Sequence, residues 1–162
     1  MKQIFLGLTT TPGSDWREKI KEINRFEIKE IALFPTYLVP EQRQEPYALL
    51  EKTDLENIIF THLRSEDMGS DEINYLQKQF HCELFNIHAN KNRIILSAQP
   101  ELEKFRNQIY VENAGDLDPL EEFAKHYAGL CIDFAHWEAG KLQKDESYKL
   151  FPETVKKFEV GF

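Results

Sequence analysis

The chain has 162 residues, 41% hydrophobic and 30% charged, and carries a formal net charge of −8. That length suits one domain with a hydrophobic core, residues 1–162 taken whole, and the composition is that of a soluble globular protein of the cytoplasm. No run approaches the ~18 apolar residues of a membrane span, MKQIFLGLTTTPG makes a poor signal peptide, and an acidic chain with no lysine- or arginine-rich cluster is ill suited to a nucleic-acid backbone.

In chain order, Gln3–Thr9 reads as a first strand. The turn after it, TTTPGSD, has neither G-x-G-x-x-G nor a G-K-[ST] phosphate loop. Asp15–Phe26 places Trp16, Ile20, Ile23 and Phe26 on one helical face, with Ser14 as N-cap. Glu30–Pro35 is a second strand, Glu41–Lys52 a helix, Asn57–Leu63 a third strand and Ser70–Phe80 a helix. Cys82 and then Glu83–Ala89, a fourth strand, follow. Asn90–Asn107 is an irregular connection in which NRIILSA suits a short strand and PELEKFRN a short helix. Gln108–Asn113 is a fifth strand, Asp118–Tyr127 a helix opened by a cap residue and a first-turn proline, and Leu130–Ala135 a sixth strand. A helix near Lys149–Phe158 leads into KKFEVGF, which reads as the start of a seventh strand. Cys82 and Cys131 sit in apolar surroundings without C-x-x-C spacing, which fits two buried thiols in a reducing compartment.

Most of these strands lack polar alternation, as strands covered on both faces do. Strand–helix alternation gives an α/β fold with a parallel sheet, either doubly wound or a barrel. The placing of the polar residues favours the barrel. IIFTH ends on His62 and LFNIH on His88; IYVEN carries Glu112; LCIDFAH carries Asp133 and His136. A barrel gathers its strand C-termini on one face. Imidazoles and carboxylates gathered there form a ligand set for a divalent metal, zinc or, with more oxygen, manganese. The aspartate is expected to end its strand and the histidine to enter the next loop. His81, in a helix-to-strand connection, and His126, at a helix end where positive charge is welcome, read as structural.

The succession THL, IHA, ENAG and CIDFAHWEAG resembles the xylose-isomerase-like TIM-barrel superfamily, which holds sugar isomerases and epimerases together with AP endonucleases of the endonuclease IV type. The resemblance runs from the first strand to Phe162 and is most specific at Glu112-Asn113 with Gly115, and at Asp133-x-x-His136 with Ala139-Gly140. It implies an incomplete parallel (β/α) barrel of TIM type, about six βα units and the start of a seventh strand. It implies Glu112 and Asp133 as metal ligands, His62, His88 and His136 as further ligands, and His136 and Glu112 as the groups that act on substrate. The family's last two strands carry another histidine and glutamate, for which KKFEVGF leaves no residues. A fragment, a shortened member closed by a second copy, or a degenerate relative is therefore expected, with an open strand edge that invites homo-oligomers.

The activity implied first is isomerisation or epimerisation of a small sugar or sugar derivative by proton transfer next to a carbonyl, assisted by Zn, Mn, Mg or Co. A sugar phosphate would need a local arginine such as Arg64 or Arg93. A multi-zinc phosphoesterase of the AP-endonuclease type matches the five ligand positions but not the −8 charge. A binding or assembly protein that keeps a partial metal site is the third expectation.

Overall fold

Short β-branched and aromatic runs alternate with amphipathic stretches, and the computed structural model turns them into an α/β fold; it describes residues 4–88, 100–114, 117, 120–143 and 146–161. The strands are β1 (Leu6–Thr9), β2 (Glu30–Phe34), β3 (Asn57–His62), β4 (Leu84–His88), β5 (Ile109–Glu112) and β6 (Gly129–Cys131). They follow one another in sheet order β1-β2-β3-β4-β5-β6, all parallel, with no reversal of order such as a doubly wound sheet shows. The α-helices are α1 (Trp16–Arg25), α2 (Pro40–Leu50), α3 (Ser70–Phe80), α4 (Leu120–His126), α5 (Phe134–Leu142) and α6 (Ser147–Val155), and a 3-10 helix spans Pro100–Gln108. None of the described helices is long and apolar enough to cross a membrane. The chain divides into two compact units, Met1–Phe85 and Asn86–Phe162.

In the first unit, β1 pairs with β2 from Leu6↔Ile31 to Thr9↔Phe34, and β2 with β3 from Glu30↔Asn57 to Leu33↔Thr61, with one register shift between Ile31 and Ala32. Trp16, Ile20 and Ile23 recur along α1 at helical spacing and are buried, whereas Phe26, read on the same face, lies just past the helix end and is exposed. Ser14 does not cap that helix. Asp15 occupies the cap position without a side-chain bond, and the Ser14 hydroxyl instead donates to the carbonyls of Thr9 and Thr11, at 2.9 and 2.6 Å. Serine is a good cap only where the backbone turn lets it face forward; here it closes the preceding turn.

Arg43 of α2 is fully buried among carboxylates. Its guanidinium meets Glu72 of α3 through two parallel bonds of 2.7 Å each, donates to the Leu38 carbonyl at 2.6 Å and lies 2.9 Å from Asp67. The Tyr47 hydroxyl donates to the same Glu72 at 2.6 Å. Burial opposes the charge on Arg43, but Glu72 and Asp67 outweigh it and hold the guanidinium charged.

In the second unit, β5 and β6 pair from Tyr110↔Gly129 to Glu112↔Cys131. Val111, Leu120, Ala124, Leu130, Tyr148 and Phe151 form its core. Beyond β6, Val160 makes a parallel bridge to Leu130, flanked by bonds from Leu130 N–H to Glu159 at 2.8 Å and from Gly161 N–H to Leu130 at 3.0 Å. The start of a seventh strand read in KKFEVGF is therefore present as a single bridge. Gly129 permits it: φ is +149°, and a Cβ there would run into the Glu159 carbonyl.

The sixth strand is shorter than the sequence suggests. It ends at Cys131, and Phe134–Leu142, read partly as strand, forms α5. The last helix, α6, begins at Ser147 and ends at Val155, earlier than the sequence pattern places it. Of the interval Asn90–Asn107, PELEKFRN becomes the 3-10 helix, while NRIILSA, the Asp118-Pro119 start and Gly115 lie outside the described residues.

Candidate metal centre

β5 is buried along its whole length and ends on a carboxylate, Glu112, only 4% exposed. A carboxylate taken out of water is costly unless it is paired or hydrogen-bonded, so its surroundings matter. On β4, Asn86 and His88 stand two residues apart and so project to the same side of the strand. Asn86 donates its amide N–H to Glu112 Oε2. His88 Nε2 lies 3.2 Å from the other oxygen, Oε1.

The next two groups come from the junction of β6 and α5. Asn113, fully buried, accepts the Asp133 N–H at 2.7 Å and donates to the Asp133 carbonyl at 2.9 Å. This pair of bonds fixes the backbone where β6 ends. Asp133 then caps α5, its Oδ1 accepting the His136 N–H at 2.9 Å. The Asp-x-x-His spacing is thus the spacing from helix cap to third helical residue. The histidine was expected in a loop; it lies in the first turn of α5, because the capping bond starts the helix immediately after the aspartate. The cap uses one carboxylate oxygen. The other, Oδ2, lies 3.9 Å from His136 Nε2, which is itself 3.6 Å from Glu112 Oε1. The His88 and His136 rings meet edge to face with centroids 5.8 Å apart.

One ligand atom each from Glu112, Asp133 and His136 lies within 4.8 Å of the others. The separations fit a shared cation. Bonds of about 2.1 Å place neighbouring ligand atoms about 3.0 Å apart in an octahedron and about 3.4 Å in a tetrahedron. The Glu112–His88 and Glu112–His136 separations, 3.2 and 3.6 Å, straddle the tetrahedral value, and the 3.9 Å between Asp133 and His136 asks for a small closure. The two carboxylates and the imidazole of His136 also form a donor set that zinc accepts and manganese tolerates. Burial pushes the neighbouring Cys131 thiol up, and the charges of Glu112 and Asp133 push the same way, so it stays a neutral thiol.

Of the five sequence-predicted ligands, Glu112, Asp133 and His136 come together within the second unit, and His88 joins them through Glu112. His62 ends β3 in the first unit, 7% exposed, with its ring 6.1 Å from that of Phe34. His126 is the exposed last residue of α4, and His81 caps α3 in the left-handed conformation at φ 52°. Arg64, considered for a substrate phosphate, is engaged by Asp67 at 3.4 Å and Glu66 at 3.6 Å; Arg93 lies outside the described residues. Sequence reasoning missed Asn86, and named Asn113 only as part of the Glu112-Asn113 motif, without a role. The signal for Asn86 was its place two residues before His88, on the same side of a strand; that for Asn113 was only its position after Glu112.

Compared with known protein families, with characterised proteins and with solved structures, the chain gives no match.

Proposed function

We propose that the chain is a divalent-metal-dependent protein of the TIM-barrel type that isomerises or epimerises a small sugar or sugar derivative by proton transfer next to a carbonyl. The observation that carries the metal is the convergence of Glu112, Asp133 and His136, with His88 Nε2 3.2 Å from Glu112 Oε1. A strand order without reversal supports barrel-type winding, and the resemblance of ENAG and CIDFAHWEAG to the isomerase superfamily supplies the reaction class. The cation is zinc, manganese, magnesium or cobalt.

Glu112 and Asp133 would supply the negative charge that retains a cation, and His136, with His88 beside Glu112, would offer imidazole nitrogens to it. When bound, such an ion supplies Lewis-acid polarisation of adjacent carbonyl and hydroxyl oxygens. Glu112, screened from water, would act on substrate by holding the ion beside it. His136, with 42% of its side chain exposed, can reach a substrate oxygen and donate or accept there. The resemblance adds His62 as a fifth ligand, an expectation from sequence that the metal affinity of His62→Ala tests. β1, first in strand order, offers an edge for a second copy of the chain.

The test is metal content by elemental mass spectrometry on the intact protein and on Glu112→Gln together. Stoichiometric metal that falls to background in the variant, with the fold retained, establishes the site; unchanged metal in the variant removes it. One exchangeable ion favours the isomerase. Two or three tightly held zincs favour the AP-endonuclease reading, and no metal after reloading favours a binding or assembly protein.

A further inference from the structure

We infer that Asn86 is a positioning residue for the metal centre: its amide decides which oxygen of Glu112 the cation meets. The inference rests on the metal reading above and goes one step further, to what orients the central ligand. A glutamate's terminal torsion is broad and nearly two-fold, so an untethered carboxylate presents either oxygen, or both. Here Asn86 Nδ2 holds Oε2. The oxygen left over, Oε1, is the one that faces His88 at 3.2 Å and His136 at 3.6 Å. Glu112 is thereby set to bind through one oxygen.

Three features suit Asn86 to this task. It is 1% exposed, so water does not compete for the bond. It sits two residues before His88 on β4, so strand geometry fixes the distance between the orienting group and a ligand. Its amide is neutral, so it orients the carboxylate without cancelling the charge that attracts a cation; a lysine or arginine there would compete with the metal. The amide must present nitrogen and not oxygen to Glu112, because oxygen against carboxylate is repulsive. Partners of this kind are worth 10–100-fold in metal affinity.

The experiment compares the whole chain with Asn86→Leu and Asn86→Ala, each loaded with Co(II). The dissociation constant comes from competition with a chelator, the visible d–d band from saturated samples, and the thermal midpoint from the metal-free forms. The expected result is binding weaker by roughly 10–100-fold in both variants, with a changed cobalt band because Glu112 is free to turn and offer both oxygens. The band reports ligand geometry in molecules that are folded and saturated, so a loss of stability alone does not move it. Asn86→Ala adds no volume and preserves the test if leucine does not fit. Variants that bind Co(II) as tightly as the unmodified chain, or more tightly, with the same band, overturn the role of Asn86 and leave the metal site standing. An unmodified chain that binds no Co(II) instead removes the metal reading, and the inference with it.

Discussion

In the first unit the carboxylate of Glu72 meets a guanidinium, while in the second that of Glu112 meets an amide and two imidazoles. Both lie largely out of water. Arg43 reaches Glu72 with two bonds, and Tyr47 takes a third. Charge is balanced there, and the fork geometry consumes the oxygens. At Glu112 the amide consumes one oxygen and brings no charge, and the imidazole nitrogens gather around the other. One arrangement is closed and joins α2 to α3; the other is a set of donors around a point. Burial of a carboxylate alone therefore does not mark a functional site. What marks it is whether the neighbours neutralise the carboxylate or aim it.

The largest effect expected from breaking this contrast is at Arg43. Arg43→Met leaves Glu72 facing Tyr47 without its counter-charge, and should cost about 3 kcal/mol, the lower end for a broken buried pair because Glu72 keeps some contact with water. Urea unfolding followed by fluorescence would read the loss. The double variant Arg43→Met with Glu72→Gln should recover part of it, since Glu72 then carries no unpaired charge and only Asp67 has lost its partner in Arg43. A loss under about 1 kcal/mol in the single variant would mean the pair is no more than a surface ion pair.

The sequence made parts of this contrast legible and hid others. β3, β5 and α3 fall where their apolar patterns place them, because the strands are buried on both faces and α3 has a clear helical stripe. His88, Glu112, Asp133 and His136 were readable because polar groups at the ends of apolar runs have few reasons to be there. Asn86 was not, since a buried asparagine inside LFNIH becomes informative only once its partner on the next strand is known. Arg43 was hidden for the same reason: Glu72 is remote in sequence, and the arginine lies in a helix whose apolar pattern is weak. α5 was missed because LCIDFAHW continues an apolar run through Asp133; a local bond, Asp133 to the His136 N–H, ends the strand and starts the helix.

That double duty of Asp133 sharpens the comparison. Asparagine caps a helix about as well as aspartate, whereas alanine costs about 1 kcal/mol. Asp133→Asn should therefore leave the thermal midpoint nearly unchanged while weakening metal binding, and Asp133→Ala should lower both. If Asp133→Asn binds metal like the unmodified chain, the aspartate is a cap and not a ligand, and the centre reduces to Glu112 and the histidines.

The smallest expected effect is at His126, which separates a histidine placed by helix electrostatics from one placed by the metal site. It is exposed at the C-terminal end of α4, beside Lys125, where the helix dipole favours positive charge. Removing it should cost no more than about 0.5 kcal/mol, within the range of ordinary surface substitutions. Metal content of His126→Ala should equal that of the unmodified chain, since Asn86, His88 and His136, which meet Glu112, all lie outside α4. His136→Ala, measured beside it, removes an imidazole 3.6 Å from Glu112 Oε1 and should weaken binding. Metal lost on removing His126 and retained on removing His136 would place the centre at the other ends of the strands, and the convergence around Glu112 would then be a hydrogen-bonded cluster of the kind seen at Arg43.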